Sequence, residues 1–199
     1  MSKKLIIVGS GNAALCAGIS ALEKGADVKI LEKADKNLAG GNTKYTAGAM
    51  RFVYNSGDEL KPLLIDPNEP KLEKTNFGQY TKEKFSEDLL NFNDGKPLTI
   101  EQKTLINESY ETMKWLASHD VKFEPIYSRQ SFIKEGKHIF WGGLTLASEN
   151  EGVGLFNQEL SAFLSLMFCT TIEASTPALA HICLTGASKA RLTISTPTC

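Results

Sequence analysis

The segment from Lys4 to Glu32 constrains this chain more than any other: a short apolar run, a glycine-rich turn, a small-residue helix pattern and a second apolar run ending in an acid follow in order. Lys4-Leu5-Ile6-Ile7-Val8 reads as a central parallel strand covered on both faces, because it is continuous and rich in branched residues. Small and apolar residues from Asn12 to Lys24 recur at spacings of three and four, and Gly25 stands where a helix-ending glycine belongs. Ala26 to Glu32 predicts a second strand, parallel to the first by the right-handed crossover rule. The order strand, helix, strand is a βαβ unit of an α/β fold.

Between the first strand and the helix lies Gly9-Ser10-Gly11-Asn12-Ala13-Ala14, which fits the pattern G-x-G-x-x-G/A. Gly9 permits a tight turn, Gly11 lets a pyrophosphate approach backbone that carries no Cβ, and Ala14 allows close packing of helix on sheet. Free N–H groups and the positive end of the helix dipole then stabilise the anion. An isolated match would fit any tight strand-helix turn. Here the strand, the helix, the second strand and an acid about 20 residues on are all in place. Glu32 is the ribose acceptor in that scheme, and an acid there argues against a 2′-phosphate and so against NADP.

Composition narrows the partners. With 42% hydrophobic and 23% charged residues over 199 positions, the chain has a globular composition, and a net charge of -1 gives no field that would attract nucleic acid. The apolar stretch after Lys3-Lys4 is too short for a secretory signal, so a cytoplasmic location is expected, with no membrane span. Cys16, Cys169, Cys183 and Cys199 form no CxxC pair, which points to structural thiols and no metal site.

Composition also shifts along the chain. From Ala162 to Cys199 only Glu173, Lys189 and Arg191 are charged, and the segment is crowded with Ser and Thr. Residues 1–161 and 162–199 are therefore expected to differ: the first is ordered, and the second is a tail altered by truncation or frameshift, in preference to a disordered tail or a membrane anchor. Within the ordered part, Lys61 to Thr75 reads as a Pro-rich surface loop and Lys82 to Asn91 as a helix. Thr99 and Gln102 form a capping-box pattern opening a long helix, with Ile100, Thr104, Tyr110, Met113 and Leu116 or Ala117 inward. Val121 to Tyr127, Ser131 to Lys134 and Lys137 to Trp141 read as short strands, the last two as a hairpin around Glu135-Gly136. Val153 to Phe168 reads as an amphipathic helix.

After Glu32 comes a second small-residue stretch, Gly40-Gly41-Asn42-Thr43 followed by Ala47-Gly48. It suits backbone laid against a flat, extended cofactor, and it suits a flexible surface loop as well. On these residues, from Lys4 to Arg51, the chain resembles the FAD-dependent fumarate reductase/succinate dehydrogenase flavoprotein superfamily, and within it the FAD-dependent tricarballylate dehydrogenase group. Phe140-Trp141-Gly142-Gly143 and Gly152-Val153-Gly154-Leu155 are similar to later landmarks.

The resemblance implies a Rossmann-like FAD-binding unit of the glutathione-reductase type followed by the start of an inserted α+β capping domain. It implies that Gly9, Ser10, Gly11, Asn12, Ala13 and Ala14 hold the FAD pyrophosphate, that Glu32 holds the adenosine ribose and that Lys33 flanks the adenine. Gly41, Asn42, Thr43, Ala47 and Gly48 would run toward the flavin. It also implies an oxidoreductase acting on a small di- or tricarboxylate, with an unidentified electron-transfer partner, and a parent chain much longer than this one. No catalytic residue is assigned among Arg51, Arg129, Arg191, His119, His138 and His181; Arg51 alone is close enough in sequence to the second loop to reach flavin or substrate. Two alternatives remain open: a non-catalytic nucleotide-binding remnant, and an NAD-binding dehydrogenase domain.

Overall fold

The computed structural model describes residues 3–173, with side chains through residue 168. In chain order its strands are β1 (Lys4–Val8), β2 (Asp27–Leu31), β3 (Ala49–Met50), β4 (Thr75–Asn76), β5 (Phe123–Pro125), β6 (Ser131–Lys134), β7 (Lys137–Phe140) and β8 (Leu146–Ser148). Its α-helices are α1 (Asn12–Glu23), α2 (Lys82–Phe92), α3 (Ile100–Ser118), α4 (Tyr127–Gln130) and α5 (Glu151–Glu173). The chain divides into two compact units, one made of Met1–Thr46 with Gly152–Cys199, the other of Ala47–Glu151.

The first unit is the expected βαβ element. β1 and β2 pair in parallel, Lys4 opposite Asp27 through Val8 opposite Leu31. α1 buries Leu15, Gly18, Ile19 and Leu22, a stripe at helical spacing, and ends where Gly25 takes a φ of +73° that L side chains rarely adopt. α5 returns to cover α1: a Cβ on Gly18 would lie 2.8 Å from the Phe163 ring, so the glycine is what lets the two helices approach. One expectation changes here. β1 is not covered on both faces among the described residues, because Ile6 and Val8 remain 65% and 83% exposed on the side away from α1. The composition shift near residue 161 falls inside the helix expected over Val153 to Phe168. α5 crosses it without interruption and buries Phe163, two residues beyond it. The remainder of that tail, 174–199, with His181, Cys183, Arg191 and Cys199, lies outside the described residues.

The second unit is α+β. β3, β8 and β5 form one three-stranded antiparallel sheet, and β4, β7 and β6 form another in which β4 runs parallel to β7. The β6-β7 hairpin turns at Glu135 (φ +52°) and Gly136 (φ +76°), two left-handed residues in succession, as a two-residue hairpin requires. The α3 capping box is complete: Thr99 Oγ1 accepts from Gln102 N and Gln102 Oε1 accepts from Thr99 N. The inward face of α3 is set by Ile106, Ser109, Met113 and Leu116. Ile100 is 79% exposed and Thr104 is exposed as well, so the expected face was rotated at its amino end, where the first turn precedes the packed part of the helix. The 61–75 loop folds into two 3-10 turns, Lys61–Leu63 and Pro70–Lys74, and buries Leu63. The expected strand from Val121 shrinks to Phe123–Pro125 because Tyr127 already begins α4.

Tyr54 anchors this unit. Its ring is fully buried and its hydroxyl donates to the Phe77 carbonyl at 2.8 Å while sharing a 2.7 Å hydrogen bond with Thr145 Oγ1. Tyr54→Phe leaves both partners buried without it and is expected to cost about 1–3 kcal/mol, read as a lower urea midpoint with an unchanged slope.

Candidate dinucleotide site

The sequence order of strand, turn and helix brings the amino terminus of α1 to the carboxyl end of β1, beside the end of β2 that carries Glu32. Gly9 sits at φ +98° and its N–H donates to the Leu31 carbonyl at 2.7 Å, which holds the turn against β2. Gly11 caps α1, and the carbonyl of Gly11 accepts from Ala14 and Leu15. Among the described residues the amides of Gly11 and Ala13 have no protein acceptor, so they remain available to an anion at the positive end of the helix. A Cβ on Gly11 would lie 3.2 Å from Thr43 Oγ1 and 3.4 Å from the Gly40 carbonyl, tighter than ordinary contact. The glycine keeps this space open.

Glu32 is held in place by the same loop. Its Oε1 accepts from Ala34 N at 2.8 Å and its Oε2 accepts from the Ser10 hydroxyl; the amide of Ala34 and that hydroxyl hold the carboxyl below its usual range. A fixed, ionised carboxylate is what two ribose hydroxyls need as an acceptor. Ser10 is buried, and its Oγ also accepts from Gly40 N at 3.0 Å, tying the phosphate turn, the acid and the second glycine loop into one network.

Thr43 is the second tie. Its Oγ1 accepts from Asn12 N at 2.9 Å, so one amide at the start of α1 is already satisfied by protein. Thr43 thus positions the loop, a role that spacing alone did not reveal. Gly41 and Asn42 are exposed in a 3-10 turn, Gly41–Tyr45, and Lys33 is exposed. Ala47 and Gly48 belong to the second unit. There Gly48 is buried at φ +66°, its carbonyl accepts from Ser148 N at 3.0 Å, and a Cβ would collide with Ser148 Oγ and sit 2.7 Å from Glu151 C, which accounts for the glycine by packing within that unit.

Among the described residues both arginines are paired. Within the second unit Arg51 donates to Tyr80 OH at 2.8 Å and pairs with Asp88 at 3.4 Å. Arg129 pairs with Glu151 at 3.1 Å, and the His138 ring packs edge-on against Tyr127. Among the described residues no cluster of His, Cys, Asp or Glu could hold a metal ion, and no helix is long and apolar enough to cross a membrane.

Residues 4–64 match the family model described as FAD binding domain. Over these residues the chain is similar to FAD binding domains. The choice between FAD and NAD, which Glu32 alone left open, is thereby made in favour of FAD. Over 63 residues the chain is 36% identical to a fumarate reductase (cytochrome) of Shewanella frigidimarina, covering 32% of this chain and 11% of that protein. Over 66 residues it is 39% identical to a digoxin reductase of Eggerthella lenta, covering 33% of this chain and 12% of that protein. The chain therefore matches only about a tenth of the length of these relatives. Among solved structures, the 3-ketosteroid-Δ4-(5α)-dehydrogenase of Rhodococcus jostii RHA1 aligns with a TM-score of 0.53 over 82% of this chain and 36% of its own, at 17% identity, a likeness of fold.

Proposed function

We propose that this chain is the dinucleotide-holding part of a flavin-dependent oxidoreductase of small di- or tricarboxylates, tricarballylate being the leading candidate. The observation that carries the reading is the Ser10–Glu32–Ala34 network beside the α1 amino terminus, which presents a fixed carboxylate and free amides to the two halves of an ADP moiety. When bound, FAD supplies hydride acceptance from, or donation to, a carbon next to an electron-withdrawing group. The residues of this chain do something narrower. Gly11 and Ala13 would bind the pyrophosphate through their amides, Glu32 would accept from the ribose, and Thr43 would keep the second glycine loop against α1. Recognising a tricarboxylate takes several cationic donors, and the described arginines are already paired.

The substrate-binding groups are then expected on polypeptide beyond this chain. Purified chain loaded with FAD and assayed with tricarballylate and an artificial electron acceptor should turn over at the rate of free flavin. Turnover well above that rate would place a substrate site within these residues and overturn this division of labour.

A further inference from the structure

Glu159 is fully buried, and its Oε2 has no hydrogen-bond partner among the described residues. It projects from α5 onto α1, where its Oε1 lies 3.7 Å from Cys16 Sγ; the same thiol lies 3.3 Å from Oδ1 of Asn12, the first residue of α1. A line of polar groups thus runs from the interior of the first unit to the residue whose amide Thr43 captures at the mouth of the anion site. Nothing in the FAD-holding role of the loop requires an acid there.

We propose that Glu159 is a proton-linked gate on the dinucleotide site: as a neutral acid it leaves the amino terminus of α1 to an anion, and as a carboxylate it opposes the pyrophosphate from inside the protein. The inference rests on the reading of that helix end as the pyrophosphate site. Asn12 and Cys16 are one helical turn apart, about 6 Å along the axis, so the carboxyl sits within roughly 10 Å of the anion, in an interior that screens like charges far less than water does. A carboxylate there also offsets part of the positive helix end that the pyrophosphate would use.

The surroundings make both forms accessible. Burial pushes the Glu159 carboxyl up to about 7. The titratable group facing it from α1 is Cys16, whose thiol burial and the Glu159 charge push up to about 12, so it stays neutral while the acid titrates. On α5 the residues one turn away, Leu155, Phe156 and Phe163, are buried and apolar. From the Gly41–Tyr45 turn, Lys44 lies over the Phe156 ring at 5.7 Å and donates to the Asn37 carbonyl at 2.7 Å; among the described residues it makes no ion pair with Glu159. The sign follows: the neutral acid prevails below about 7, so FAD affinity is highest there and falls as pH rises, and FAD binding above that pH draws in a proton.

The test is FAD titration of the full chain, followed by flavin fluorescence from about pH 5.5 to 8.5, for wild type and Glu159→Gln. The wild type should bind about tenfold more weakly at the alkaline end, and Glu159→Gln should hold the tighter value throughout. Calorimetry of the wild type at about pH 8, in two buffers with different ionisation heats, should show about half a proton taken up per FAD, a result that stands even if the variant fails to fold. FAD binding by the wild type with a flat profile and no proton uptake, or the same slope in both proteins, would overturn the gate alone. No FAD binding at any pH would instead overturn the assignment of the helix end to FAD and remove the gate with it.

Discussion

A Gly152→Ala chain is expected to melt about 10 °C below the wild type and to bind FAD more weakly. Gly152 is the second residue of α5 and is buried against the 3-10 turn Gly41–Tyr45, with its N–H donating to the Thr46 carbonyl at 3.0 Å. A Cβ would overlap the Thr43 carbonyl oxygen and lie 2.7 Å from Thr46 O and 2.8 Å from Thr46 Oγ1. Two of the three are backbone atoms, so no rotamer change relieves the clash; either α5 shifts or the turn does. A forced shift of this kind costs on the order of 3 kcal/mol, and at this chain length each kcal/mol lowers the melting temperature by roughly 2–4 °C. The effect on FAD follows because Thr43, whose carbonyl is displaced, also carries the hydroxyl that accepts from Asn12 N. Val153→Ala is the control: Val153 is the next residue, 45% exposed, and its truncation should move the melting temperature by about 2 °C or less. Differential scanning calorimetry of the three proteins decides it, and equal melting temperatures for Gly152→Ala and wild type would show that the α5–turn packing is looser than described.

Glu32→Ala is expected to weaken FAD binding by about 10- to 100-fold, the range for losing hydrogen bonds to a charged acceptor. The variant removes more than the acceptor, since Ser10 Oγ loses the carboxylate it donates to and the phosphate turn loses one tie to the strand end. The pH dependence has a definite sign. Because the Ala34 amide and the Ser10 hydroxyl lower the carboxyl below its usual 4.5, Glu32 is ionised at neutral pH, and its contribution to binding is lost only as pH falls through that lowered value. Glu159 acts in the opposite direction and near neutrality, so the two can be separated in one titration series: the wild-type advantage over Glu32→Ala should be constant from about pH 6 to 8. An isothermal titration at pH 7 that found equal affinities would remove Glu32 from the ribose contact.

How much of this was legible in the residues depended on how locally each feature is determined. The βαβ unit is written in nearest-neighbour terms: a branched apolar strand, a glycine that must turn at φ +98°, a helix stripe of Leu15, Ile19 and Leu22, and Gly25 at its end. The β6-β7 hairpin and the α3 capping box were legible for the same reason, because turn and cap chemistry lie within four residues. What failed depended on partners far away in sequence. The exposed side of β1 could not be foreseen, since a strand's own residues report only that it suits burial on both faces, not that the covering layer is present. Ile100 looked inward by composition, but the inward face of α3 is set by where its middle packs, through Ile106 and Met113.

The site divided along the same line. Gly9, Gly11 and Glu32 announced themselves by spacing, whereas the roles of Ser10 and Thr43 as ties, and the whole of the Glu159–Cys16–Asn12 line, need residues 22, 31 and 143 positions apart to meet. The helix expected over Val153 to Phe168 runs through the composition shift at Ala162, where Phe163 buries against Gly18. The partners of Arg51, Tyr80 and Asp88, lie 29 and 37 positions away and were likewise not legible from the residues around it.

The central claim is that the α1 amino terminus, with Glu32, holds FAD. The most direct measurement is fluorescence titration of FAD into the purified chain at about pH 6.5, with NAD titrated in parallel and Gly11→Val as reference. The account predicts saturable quenching by the wild type, no competition from NAD at comparable concentration, and loss of quenching in Gly11→Val, whose side chain fills the gap beside Thr43 and Gly40. Unquenched flavin with the folded wild type, or equal quenching by wild type and Gly11→Val, would contradict it.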